Sequence, residues 1–165
     1  MERFDNLDRL TNTATPAVGR VEALWLKRAH RGPMDRVERA LLVAGQGVDG
    51  SVGRSRRRQV TLFEHERWKA FMAELGGAID PAARRANIMV SGIALAHTRK
   101  RVLRIGCARI EIGGELTPCE RMDEALPGLQ NAMRANWGGG VFGAIFEGGM
   151  ICVGDPIIWE SEATA

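Results

Sequence analysis

The loop Thr117-Pro118-Cys119-Glu120-Arg121-Met122 holds the residue of this sequence most suited to chemistry, a cysteine outside any alternating strand pattern. A loop can expose a thiol, and Arg121 and the N–H groups of a turn favour the thiolate, the form that attacks sulfur and ligates metals. Glu120 acts in the opposite sense. A free cysteine is equally well read as a small buried hydrophobe, and the residues alone leave both readings of Cys119 open. Cys107 and Cys152 sit in strand patterns beside Gly106 and Val153 and are expected to be buried. Three cysteines with neither paired nor CxxC spacing argue against a disulfide framework or a zinc knuckle.

Arginine supplies the second chemical feature. Of 23 basic residues only Lys27, Lys69 and Lys100 are lysine, and the net charge is +3. The guanidinium fork binds phosphate or carboxylate through two parallel hydrogen bonds. Arg54, Arg56, Arg57 and Arg58 precede the strand-like RQVTLF, and Arg84-Arg85 precede NIMVSG. If both clusters meet Cys119 at the mouth of a barrel, they form a cationic pocket around a thiolate; any single one of them is better read as an ordinary solvated arginine. His30, His65 and His97 lack ligand spacing, and no HExxH, GxSxG, GxxxxGK[ST] or strand-following GxGxxG occurs. A nucleic-acid or other polyanion-binding module is the rival of another class. It lacks interleaved exposed aromatics, because tyrosine is absent and the Trp and Phe residues fall mainly on core faces.

These residues must be positioned by a chain of 165 residues, one domain's length, with 45% hydrophobic and 26% charged residues. No apolar run is long enough to span a bilayer and the first residues do not form a signal peptide, so a cytoplasmic protein without a membrane anchor is expected. An N-terminal arm is expected over 1–16, a single domain over 17–160 and a tail over 161–165. Val21, Ala23 and Trp25 alternate as one face of a strand, whereas 34–43 fits strand or helix. Val60–Phe63 makes a strand, followed by a helix carrying Trp68, Phe71, Met72 and Leu75 on one face and stopped by Gly76-Gly77. NIMVSG is another strand. In RVLRIGCARIEIGG the apolar parity changes at Gly106, which predicts a bulge or corner there, with Leu62, Val90, Ile105, Ala108, Ile110 and Ile112 on one inner face. A helix is expected from about Pro127, and a hairpin turning at Gly148-Gly149. Six to eight short strands with one or two helices imply a mainly β barrel with peripheral helices.

RQVTLFEHE, RRANIMVSGIAL, RIGCARIEIGGELTPCERM, PGLQNAM and GGVFGAIFEGGMICVGDPI resemble, in order and spacing, the MOSC domain family, named for the C-terminal domain of molybdenum cofactor sulfurases. The resemblance covers about residues 18–159. It implies a β-barrel of the pyruvate-kinase-barrel type and makes the cysteine of the PCxRM-like segment, Cys119, the functional residue. Arg58, Gln59, Arg85, Asn87, Ser91 and Arg121 lie in matching segments and would line a cofactor site. In GVDGS, Ser51 stands where the family commonly has an acid, with Asp49 close by.

The resemblance implies binding of a molybdenum cofactor, a pterin dithiolene bearing a phosphate, with Cys119 carrying sulfur or ligating the metal. A chain of this length is not expected to hold the pyridoxal-phosphate desulfurase domain of larger members. Sulfur would then come from a separate donor such as a cysteine desulfurase. The enzymatic alternative is a cysteine-ligated molybdenum reductase of N-hydroxylated compounds, which needs partner electron carriers because no flavin or iron–sulfur motif is present.

Overall fold

The computed structural model describes residues 18–161. The arm expected over 1–16, and the tail apart from Ser161, lie outside the described residues. Seven strands close into a barrel. β1 (Gly19–Lys27) lies between β6 (Ile88–Ser91) and β11 (Pro156–Trp159); from β11 the ring continues through β7 (Val102–Ile105), β8 (Ala108–Glu115), β9 (Val141–Glu147) and β5 (Val60–Glu64) to β6. Closure is made by β1 and β11, where Gly19 pairs with Ile157. Neighbouring strands are antiparallel except β5 and β6, whose parallel pairing requires a crossover that contains α1 (His65–Leu75). Gly76 caps α1 in the left-handed region at φ +64, as the glycine pair implies.

The ambiguous segment 34–43 forms two strands, β2 (Met34–Val37) on the outer edge of β1 and β3 (Arg39–Val43) in a separate sheet of order β10–β3–β4, with β4 at Gly47–Val48 and β10 at Gly149–Cys152. Buried Ala40 and Leu42 alternate with exposed Arg39 and Leu41, a period of two that decides for strand.

Leu62, Val90, Ile105, Ala108, Ile110 and Ile112 are all 0% exposed in the barrel interior, as the alternation predicts. The reason for the parity change differs. Gly106 and Cys107 are the two central residues of a tight hairpin between β7 and β8, with Ile105 opposite Ala108 and Leu103 opposite Ile110. Of the two only Gly106 has a positive φ, +57, the pattern of a type II′ turn. A hairpin places both strands' apolar residues on one face without a bulge, and its tip exposes Cys107.

A bulge does occur in β1, where the pairing with β6 shifts between Val21 and Ala23. Val21, Leu24 and Leu26 therefore face the barrel interior, while Ala23 and Trp25 face a second core under the helices. The expected common face of Val21, Ala23 and Trp25 is corrected accordingly. In the second core Phe63 lies between Trp25 and Trp68, each ring centroid 5.9 Å from its own. The stretch before Pro127, expected as a loop, holds a short helix α2 (Arg121–Ala125), and the helix expected from about Pro127 is reduced to α3 (Leu129–Ala132), which begins only after Gly128 at φ +90. Gly148-Gly149 is likewise no hairpin: β9 belongs to the barrel, and β10 leaves it to pair with β3.

Candidate functional site

With its interior filled, the barrel offers a ligand its end. A cavity of about 380 Å³ lies outside the packed interior, where β1 and β8 finish and the parallel pair β5 and β6 begin. Cys119, Arg58, Gln59, Arg85, Asn87 and Arg121 all line it, together with Lys27, Ser51, Thr61 and Arg84. Ser91 does not. It ends β6 at the opposite side of the barrel, where its hydroxyl donates to Glu22 Oε1 at 2.6 Å. Asn87 immediately precedes β6, and each strand residue advances about 3.3 Å, so matching at one end of NIMVSG excludes the other.

Cys119 is exposed, so it is not the small buried hydrophobe that one of the two readings made it. The loop bearing it leaves β8 at Leu116 and enters α2 through a turn in which Met122 N–H donates to the Cys119 carbonyl at 3.0 Å. Arg84 anchors this segment from beneath. Its guanidinium, 5% exposed, donates to the carbonyls of Gly139 at 2.8 Å and Leu116 at 2.9 Å. Gly139 is needed at this contact, because a Cβ there would lie 2.5 Å from the Leu116 oxygen. Burial brings Arg84 down to about 10; the nearby Cys119 pulls it up and Arg58 pulls it down.

The remaining cations share one field. Burial lowers Lys27 from its ordinary value, and Arg85, Arg121 and Arg58 lower it further. Arg85 is lowered by burial and by Arg121, against the pull of Cys119. Arg85 takes a left-handed φ of +61 after the short 3₁₀ turn Pro81–Arg84, and donates through Nη1 to the Gly32 carbonyl at 2.7 Å. Its Nη2 is buried without a hydrogen-bond partner. Among the described residues Lys27, Arg58, Arg84, Arg85 and Arg121 form no ion pair, while Arg28, Arg104 and Arg109 elsewhere on the surface do. Such a cluster of unneutralised cations repels itself and is stabilised by an anion.

Asn87 and Gln59 reach the wall of the cavity with their side chains already engaged. Asn87 Oδ1 accepts from Thr61 N–H and Oγ1, and Nδ2 donates to the Trp25 carbonyl and to Ser51 Oγ. Gln59 donates to the Arg56 carbonyl and accepts from Ile145 N–H. Both fasten strands to the loops that carry the cations. Ser51 Oγ also accepts from Lys27 N–H, so its own proton remains to donate. Lys27 escaped sequence reasoning because it lies in no cluster: only the path of β1 brings its end beside Ser51.

The family model of the MOSC domain matches residues 29–158. This chain belongs to the MOSC domain family. Solved structures share the architecture. YuaD from Bacillus subtilis superimposes with a TM-score of 0.75 at 17% identity, covering 88% of this chain and 97% of that one. YiiM from Geobacillus stearothermophilus gives 0.72 at 13% identity over 89% and 77% of the two chains. YiiM from Escherichia coli gives 0.66 at 15% identity over 88% and 72%. At these identities the likeness is one of fold. Among curated proteins none matches the sequence. No helix among the described residues of this MOSC domain is long and apolar enough to cross a membrane.

Proposed function

We propose that this MOSC domain binds a molybdenum cofactor in the cavity at the barrel end and carries sulfur through Cys119. The observation that carries the reading is the placement of an exposed thiol and several unpaired cations on one concave wall. A soft thiolate suits sulfur and a dithiolene-bound metal, whereas guanidinium and ammonium groups suit a phosphate. The orphaned Nη2 of Arg85 is one donor that an anionic oxygen would satisfy. When bound, the cofactor supplies a metal site for sulfur or oxygen-atom chemistry.

The chain's own residues account for the other parts of the reading. The Cys119 thiolate attacks the outer sulfur of a donor persulfide; the donor's S–S bond breaks, its thiolate leaves with the electron pair, and Cys119 holds the sulfane sulfur as a persulfide. Lys27, Arg85 and Arg121 hold the phosphate, and Ser51 donates its free hydroxyl proton. The donor is a separate protein, for example a cysteine desulfurase. A concave, localised set of cations favours a small anionic ligand over a long polyanion lying across a face.

The test is metal analysis and pterin fluorescence on protein from a molybdate-fed host, with mass spectrometry after exposure to a sulfane donor. Molybdenum and pterin should co-purify, and Cys119 should gain one sulfur atom. Protein free of both molybdenum and pterin, or a Cys119→Ala variant that accepts sulfur as the native chain does, would overturn the reading.

A further inference from the structure

A second, shallower cleft adjoins the first and shares Arg58 and Gly53 with it; Ser55, Arg57 and Phe142 complete its lining. Its floor is an aromatic ring fixed from below. Phe142 projects outward from β9 over Gly113 and Gly114 of β8, and a Cβ on Gly113 would lie 2.6 Å from the ring. The absence of a side chain there lets the ring lie against the strand. The Arg58 guanidinium stands 5.4 Å from the ring centroid. The turn that presents it is closed by two reciprocal hydrogen bonds, Ser55 N–H to the Arg58 carbonyl at 3.0 Å and Arg58 N–H to Ser55 Oγ at 3.1 Å. Ser55 therefore keeps its hydroxyl proton for an outside acceptor. Arg57 is exposed and, among the described residues, forms no ion pair.

An apolar ring, a planar cation, a hydroxyl donor and a free arginine together select a ligand that is flat at one end and anionic at the other. A simple anion would leave Phe142 unused, and an uncharged aromatic compound would leave Arg57 unused. We propose that this shelf is a nucleotide site: a heterocyclic base stacks against Arg58 and Phe142, and a phosphate is held by Arg57 and Ser55. Base stacking of this type tolerates any base, because every base has a π face. Through Arg58 and Gly53 the base is placed beside the mouth of the Cys119 cavity, so the two clefts accommodate one extended ligand or two neighbouring ones.

Calorimetry with guanosine monophosphate, ribose 5-phosphate and inorganic phosphate tests the shelf on the full chain without molybdenum. Guanosine monophosphate should bind about tenfold more tightly than ribose 5-phosphate, the difference being the base. Phe142→Ala should abolish that difference while inorganic phosphate binding persists. Arg58→Lys keeps the charge, removes the planar face and leaves Phe142 in place, so it should reduce the preference even if Phe142→Ala fails to fold. Equal affinity for the nucleotide and ribose 5-phosphate, or a preference unchanged by Arg58→Lys, would overturn the proposal. The readout involves neither sulfur nor metal, so its failure is distinguishable from failure of the Cys119 reading.

Discussion

Arg84 Nη2 donates to the Leu116 carbonyl at 2.9 Å, tying a buried cation to the strand end from which the Cys119 loop departs. A second bond to Gly139 makes this one side chain the tie between β8, the segment before β9 and the 3₁₀ turn. Arg84→Met should therefore leave two carbonyls without their donor and lower stability by about 3 kcal/mol. Urea unfolding measures the loss. Faster alkylation of Cys119 in the same variant is the expected sign that its loop is no longer held.

Thiol reactivity should divide the cysteines by exposure and by site. Cys107 at the hairpin tip and Cys119 are exposed, and Cys152 is half-buried, so the first two should be alkylated before the third. Added pyrophosphate should occupy the cationic cavity, slow Cys119 and leave Cys107 unaffected. Peptide mapping reads both effects, and equal protection of Cys107 and Cys119 would contradict a specific anion site.

Glu64 gives a stability change at mildly acidic pH. Burial raises its carboxyl above the ordinary 4.5, and Glu66 adds to this, against the opposing pull of the Leu95 N–H and Arg67. In the interval between 4.5 and the raised value the folded chain binds more protons than the unfolded chain, so stability falls as pH rises through it. Glu64→Gln should remove this slope. Urea midpoints of the two proteins should converge below the interval and separate above it, with the variant the more stable.

Gly106 should tolerate substitution according to backbone preference alone. It stands at φ +57, and a Cβ there would meet nothing within 4 Å. Gly106→Ala and Gly106→Asn should each lose about 2 kcal/mol, because the first central position of a type II′ turn lies outside the left-handed helical well that asparagine favours. Thermal unfolding of the two variants gives the comparison.

The barrel was legible where alternation was uninterrupted. Leu103, Ile105, Ala108, Ile110 and Ile112 announce two half-buried strands, and Trp68 through Leu75 an amphipathic helix. The parity change was visible too, but one displaced residue pattern describes both a bulge and a tight hairpin, and Cys107 was placed in the core for that reason. In β1 the opposite occurred: unbroken alternation concealed the bulge that turns Ala23 and Trp25 outward. Cys119 and the arginines beside strand starts were legible because local charge and loop chemistry mark them. Lys27 was not, since its role depends on which strand end lies beside the β4–β5 loop, a long-range pairing with no local signal. Ser91 failed for the complementary reason, as a strand carries its two ends to opposite sides of a barrel.

The closing pair of the barrel, Gly19 with Ile157, has a consequence for biosynthesis. β1 leaves the ribosome before every other described strand, yet one of its edges waits for β11, the last of them. β6 can zip onto its other edge early, with β5 and α1 forming a locally connected half. Until Pro156–Trp159 emerge, the N-terminal half holds an open strand edge able to pair with a neighbouring chain. Folding is therefore gated by the emergence of β11, and high contact order makes ring closure the slow step.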